Sequence, residues 1–107
     1  MKNYITLDEA INEELKKHPE LKEAYQEELL INAISRMVIE MRRKAHLTQM
    51  ELAQRAETSQ SVIARLEGGK DSRMPSLGLL TRIASAAHAK LKINFEMEEA
   101  NRASHRA

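Results

Sequence analysis

Apolar residues recur at three- and four-residue spacing along most of this chain, then switch once, near residue 90, to every second position. The first spacing predicts helices and the second a strand. Thr6-Leu7-Asp8-Glu9 forms a potential capping box, opening a helix with Leu7, Ile11 and Leu15 along one side. His18-Pro19 breaks it. Proline suits the first turn of a new helix, and Glu20 and Glu23 favour that end through the helix dipole. No proline or glycine then appears until Gly68. Leu21, Tyr25, Glu28 or Leu29, and Asn32 continue the spacing, followed by Ile34, Val38, Met41 and Ala45. Helix is expected over about residues 19 to 45, continuous or bent near Asn32.

Residues 48 to 68 read as two short helices joined by a tight turn. Thr48 with Glu51 forms a second capping box, and Leu52, Ala53 and Ala56 supply an apolar side. Ser59 caps the next helix, whose Val62, Ile63 and Leu66 recur at helical spacing. Gly68-Gly69 ends it, because glycine enters the left-handed region without a Cβ penalty. After a loop, Ser76 caps a last helix with Leu77, Leu80, Ile83, Ala84 and Ala87 as its core face. In residues 90–97, Leu91, Ile93, Phe95 and Met97 alternate with Lys92, Asn94 and Glu96, the pattern of a half-buried strand. A lone strand leaves its backbone unpaired, so it needs a second copy of the chain or a partner protein.

The outward side of the helix opened by Ser59 carries Gln60, Ser61, Ala64 and Arg65, with no large apolar group. Gln makes paired hydrogen bonds to adenine and Arg to guanine, so this side fits the reading of base edges. Lys70 and Arg73, in the loop beyond, suit phosphate contacts.

Charge distribution sharpens that picture. The net charge is only +1, but residues 1–31 hold eight acids and four bases, and residues 32–90 hold ten bases and five acids. A basic middle behind an acidic front suits a DNA-binding core with an appended segment of another purpose. Aromatics are 3% of residues, which argues against base stacking on an aromatic platform. The absence of cysteine excludes disulfides and thiolate metal sites. His18, His46, His88 and His105 have no metal-ligand spacing, and no phosphate loop follows a strand, so no catalytic residue, metal or cofactor is expected. No apolar run is long enough to span a bilayer and no signal-peptide pattern is present, so a cytoplasmic protein is expected.

Leu47-Thr48-Gln49-x-Glu51-Leu52-Ala53, Ser59-Gln60-Ser61-x-Ile63-x-Arg65-x-Glu67-x-Gly69-Lys70 and Pro75-Ser76-Leu77 together resemble the Xre/Cro-type helix-turn-helix over roughly residues 34 to 95. The resemblance implies an all-α, five-helix lambda-repressor-like domain whose Ser59-initiated helix lies in the DNA major groove. It implies base contacts from Gln60, Ser61 and Arg65. Phosphate contacts would come from Thr48, Gln49, Ser59, Lys70 and Arg73. The family usually has glycine where this chain has Glu57, which implies backbone strain on the order of 1 kcal/mol.

The added N-terminal helices and C-terminal strand resemble HigA-type antitoxins of type II toxin–antitoxin systems. That likeness implies a homodimeric repressor of its own operon and a RelE-like (HigB-like) ribonuclease toxin as partner, with Leu7, Ile11, Leu15, Leu21 and Tyr25 facing the toxin. The same stripe could instead be covered by the chain's own domain or by a dimer mate. The alternatives are a stand-alone repressor, or an interaction module that has lost DNA binding. The expected organisation is an N-terminal helical extension at 1–31, the helix-turn-helix domain at 32–89, the strand at 90–97, where Leu91, Ile93, Phe95 and Met97 pair with a dimer mate or partner, and a flexible tail at 98–107.

Overall fold

The computed structural model describes residues 4–20, 26–69, 73–95 and 97. Five helices run in order: α1 (Leu7–Lys17), α2 (Gln26–Lys44), α3 (Gln49–Arg55), α4 (Gln60–Gly68) and α5 (Leu77–Ala86). The five include α1, so the helix-turn-helix unit itself has four helices among the described residues, not five plus an extension. The bend expected near Asn32 is absent: α2 runs unbroken through it. Residues 19 and 20 form a turn, not the first turn of α2. Leu21, Tyr25, Lys70 and the 98–107 tail lie outside the described residues.

The helix starts follow from local hydrogen bonding. Thr6, Thr48, Ser59 and Ser76 each take non-helical backbone angles and accept, through the side-chain oxygen, from the N–H three residues on. At α3 the box closes both ways. The Glu51 N–H donates to Thr48 Oγ1 at 3.0 Å and the Thr48 N–H to Glu51 Oε1 at 2.8 Å. The Thr48 N–H and hydroxyl hold the Glu51 carboxyl below the usual carboxylate range.

The helix ends share one device. After α2 the His46 N–H donates to the Arg43 carbonyl and Leu47 to Arg42. After α3, Glu57 donates to Gln54 and Thr58 to Ala53; after α5, His88 donates to Ser85 and Ala89 to Ala84. These are paired 5→2 and 6→1 bonds, the Schellman arrangement, which needs a left-handed residue. His46, Glu57 and His88 occupy it at φ 57° to 58°, so the strain expected at Glu57 recurs at two histidines. Only after α4 does glycine fill the position, with Gly69 at φ 64°.

The core of the helix-turn-helix unit joins Val38, Leu47, Leu52, Ala53, Ala56, Ile63, Leu66, Ile83 and Ala86. Helix α3 packs on α4 and α5, and α4 packs on α2. Leu77, expected in the core face of α5, is instead 60% exposed at its first position, and Leu79 packs on the core alongside Leu80.

Helix α2 is buried on two sides, which explains where α1 goes. Ile31, Ser35 and Val38 face the core, and Leu29 and Ala33 lie on the opposite side. Helix α1 packs there, bridged by Arg36 Nη2 and Glu13 Oε2 at 3.9 Å. Of the coverings open for the N-terminal stripe, the chain's own domain supplies one. Its buried centre is Ala10 and Glu14, however, not Leu7, Ile11 and Leu15. Leu7 is exposed, while Ile11 and Leu15 stay half-buried.

The expected strand is not seen. Residues 89–95 and 97 belong to no helix or sheet. Leu91 is half-buried, whereas Ile93, Phe95 and Met97 are 57%, 95% and 71% exposed. Within one chain nothing pairs with this stretch among the described residues, as the pattern requires of a strand that lacks a neighbour.

Candidate nucleic-acid interface

Helix α4 is anchored by one side and bare on the other. Ile63 is fully buried and Leu66 nearly so, with Val62 half-buried beside them. At about 100° per residue, Gln60, Ala64, Ser61 and Arg65 follow one another around the opposite side. All four are exposed. Ala64, at the middle of this arc, has no bulk to hold a ligand surface away. Arg65 makes no hydrogen bond or ion pair among the described residues, so its five donors face outward.

The residues expected to meet phosphate flank this arc. Thr48 and Ser59 are exposed, and each side-chain oxygen accepts from its own helix. Each hydroxyl keeps its proton for an outside acceptor. Arg73 is exposed on the segment before α5.

Gln49 differs from the others. It is half-buried, and its Nε2 donates to Glu67 Oε1 at 3.1 Å. The same carboxylate accepts from Arg42, Nε to Oε2 at 2.6 Å and Nη2 to Oε1 at 2.9 Å. Arg42 Nη1 donates to the Leu47 carbonyl at 2.9 Å, and Ser35 Oγ to the Glu67 carbonyl at 2.7 Å. The pair is largely buried, with 15% of the Arg42 side chain and 5% of the Glu67 side chain exposed. Its hydrogen bond to Glu67 holds the Arg42 guanidinium above its ordinary pKa. Together these contacts fix the end of α4 and the start of α3 against α2. Glu67 is thus an ion-pairing residue, as its place beside Leu66 suggested.

Sequence reading missed Arg42. Its signal was available: it stands four residues after Val38 and three before Ala45, a charge on a core-facing side. A buried arginine there demands a carboxylate.

Among the described residues, no cluster of three or more histidines or carboxylates could hold a metal. No helix among them is long and apolar enough to cross a membrane.

A family model described as a helix-turn-helix domain matches residues 36–91, more than half of the chain. No curated protein and no solved structure matches it. The match takes in the whole Thr48–Gly69 unit, both its caps and the bare arc of α4, and leaves α1 outside. The chain therefore belongs to the helix-turn-helix domain family, and its architecture is that of a DNA-binding regulator.

Proposed function

We propose that this protein is a sequence-specific transcriptional repressor of the Xre type, working in the cytoplasm as a homodimer on a near-palindromic operator, and that it is not an enzyme. The bare arc of α4 carries the reading. A rod anchored by Ile63 and Leu66, with Gln60, Ser61 and Arg65 outward, has the shape and donors for the major groove. Thr48, Gln49, Ser59, Lys70 and Arg73 supply phosphate contacts that set its position. Binding to operator duplexes by fluorescence anisotropy tests this. Affinity should fall steeply as salt rises, and Arg65→Ala should weaken binding by about 1–3 kcal/mol while relaxing preference at one base position. A chain that ignores duplexes from around its own gene at low salt would be an interaction module without DNA binding.

The dimer contact falls to residues 90–97. Leu91, Ile93, Phe95 and Met97 pair with the same stretch of a second copy across a two-fold axis. Their exposure in the single chain supports this. Light scattering on an Ile93→Lys, Phe95→Lys variant should show monomer where the parent shows dimer.

The finer reading is an antitoxin of HigA type. It would neutralise a RelE-like ribonuclease and repress their shared operon. Helix α1 supports it as an addition beyond the matched family span that keeps Leu7 exposed and Ile11 and Leu15 only half-covered. The toxin-facing set then comprises these three with Leu21 and Tyr25. Co-expression with a small basic protein encoded next door, pulled down through either partner, tests it. Leu7→Arg with Leu15→Arg should abolish the complex while leaving helicity intact. Retained binding would point to a stand-alone repressor or to another contact surface.

A further inference from the structure

A cleft of about 240 Å³ opens beside the bare arc of α4. Its apolar walls are Ile31 from α2, Val62 and Leu66 from α4, Met74 and Pro75, and Leu79 from α5. Arg65 and Arg73 complete the lining, and no carboxylate stands among the described lining residues. An apolar hollow with two guanidinium groups has a definite chemical preference. A neutral apolar molecule leaves the cations unanswered, and a hydrophilic anion leaves the walls wet. A molecule with an apolar body and one carboxylate satisfies both, since guanidinium binds carboxylate in paired, charge-assisted hydrogen bonds. The volume equals the liquid share of about eight water molecules, which suits a body of about six to eight carbons.

We propose that this cleft is an effector site for a small amphiphilic carboxylate, a medium-chain fatty acid or an aryl acid, and that its occupant competes with DNA. The competition rests on the DNA-binding reading; the binding itself does not. Arg65 belongs both to the cleft lining and to the outward arc of α4. A carboxylate held by Arg65 in the cleft turns that guanidinium away from base edges and cancels part of its charge. A ligand can shift DNA affinity only through such a differential contact, and one shared arginine is that contact.

The test uses octanoate with the full chain. Amide and methyl NMR shifts of Val62, Leu66 and Leu79 should move saturably on titration. Octanamide, of the same size and uncharged, should bind at least about tenfold more weakly. Acetate at equal ionic strength should produce no saturable shift. Met74→Trp fills the cleft from its half-exposed rim without entering the core, and should abolish octanoate binding while leaving the fold intact by circular dichroism. At saturating octanoate and fixed ionic strength, operator affinity should fall by about tenfold, within the usual range for coupled ligands. No saturable shift with octanoate, equal binding of octanamide, or binding that survives Met74→Trp overturns the site. Octanoate binding with unchanged operator affinity overturns the competition. A chain that binds no duplex at all removes the DNA reading, and the NMR titration still decides the site.

Discussion

Glu57 sits at φ 57° in the turn between α3 and α4, where a Cβ is a steric liability. A left-handed conformation costs a non-glycine residue about 1–2 kcal/mol. Glycine removes that cost but adds unfolded-state freedom worth about 0.5–1 kcal/mol. Glu57→Gly should therefore stabilise the fold by about 0.5–1 kcal/mol. Glu57 is also an acid beyond the end of α3, where the helix dipole disfavours negative charge. Glu57→Ala separates the two effects, because it removes the charge and keeps the Cβ. The informative quantity is the difference between the glycine and alanine variants. Its sign should favour glycine, with a melting temperature higher by about 2–6 °C. Urea unfolding followed by circular dichroism measures it, provided the slope with denaturant stays constant across the variants. His46→Gly and His88→Gly occupy equivalent positions at other helix ends and should add nearly independently. A glycine variant no more stable than the alanine one would refute the idea that the Cβ strains this turn.

Other expectations follow from the same geometry. Arg42→Ala leaves the Glu67 carboxylate buried without its guanidinium and should cost about 3–5 kcal/mol, whereas Arg42→Met with Glu67→Leu should recover most of that loss in the same urea assay. Gly69→Ala places a Cβ in the left-handed region and 3.0 Å from Asn32 Oδ1; a loss of about 1–2 kcal/mol is expected, and an unchanged unfolding midpoint would contradict it. Because the Glu51 carboxyl is held below its ordinary value, its contribution is present above the unfolded pKa and fades as pH falls through the folded one; Glu51→Gln should flatten the acid limb of stability against pH. Gln49→Ala should weaken all duplexes alike, with no change in base preference, if the residue meets phosphate.

What the sequence made legible was local. Thr48 with Glu51, Ser59, Ser76 and Gly69 mark boundaries because their hydrogen bonds and dihedral needs involve residues three or four away. The bare arc of α4 was legible for the same reason, since four polar or small residues share one side whatever the helix packs against. The rest depends on long-range partners. Ala10 and Glu14 become the buried centre of α1 because α2 offers a second face around Leu29 and Ala33, and period alone placed that centre on the larger residues. His46 and His88 carry no glycine signature, yet the packing after α2 and α5 drives them to positive φ. Leu77 looked like core by spacing, but the first position of α5 lies beyond the packed layer.

One carboxylate coordinates much of the proposed DNA-binding geometry. Glu67 has two oxygens and accepts only, so every group around it must donate. Arg42 fills both oxygens from α2, and Gln49 adds a third bond from the first residue of α3. Accepting from Gln49 fixes that amide with its nitrogen inward, toward Oε1. An amide nitrogen has two protons, and the bond to Glu67 uses one. The other remains to meet a phosphate oxygen at the mouth of the α3–α4 unit. The end of α4 is held at the same time through the Ser35 hydroxyl on the Glu67 carbonyl. The start of α3, the end of α4 and the middle of α2 are thereby tied to a single side chain. The spacing between phosphate-contacting and base-reading groups is then set by a buried ion pair inside the protein, independent of any DNA.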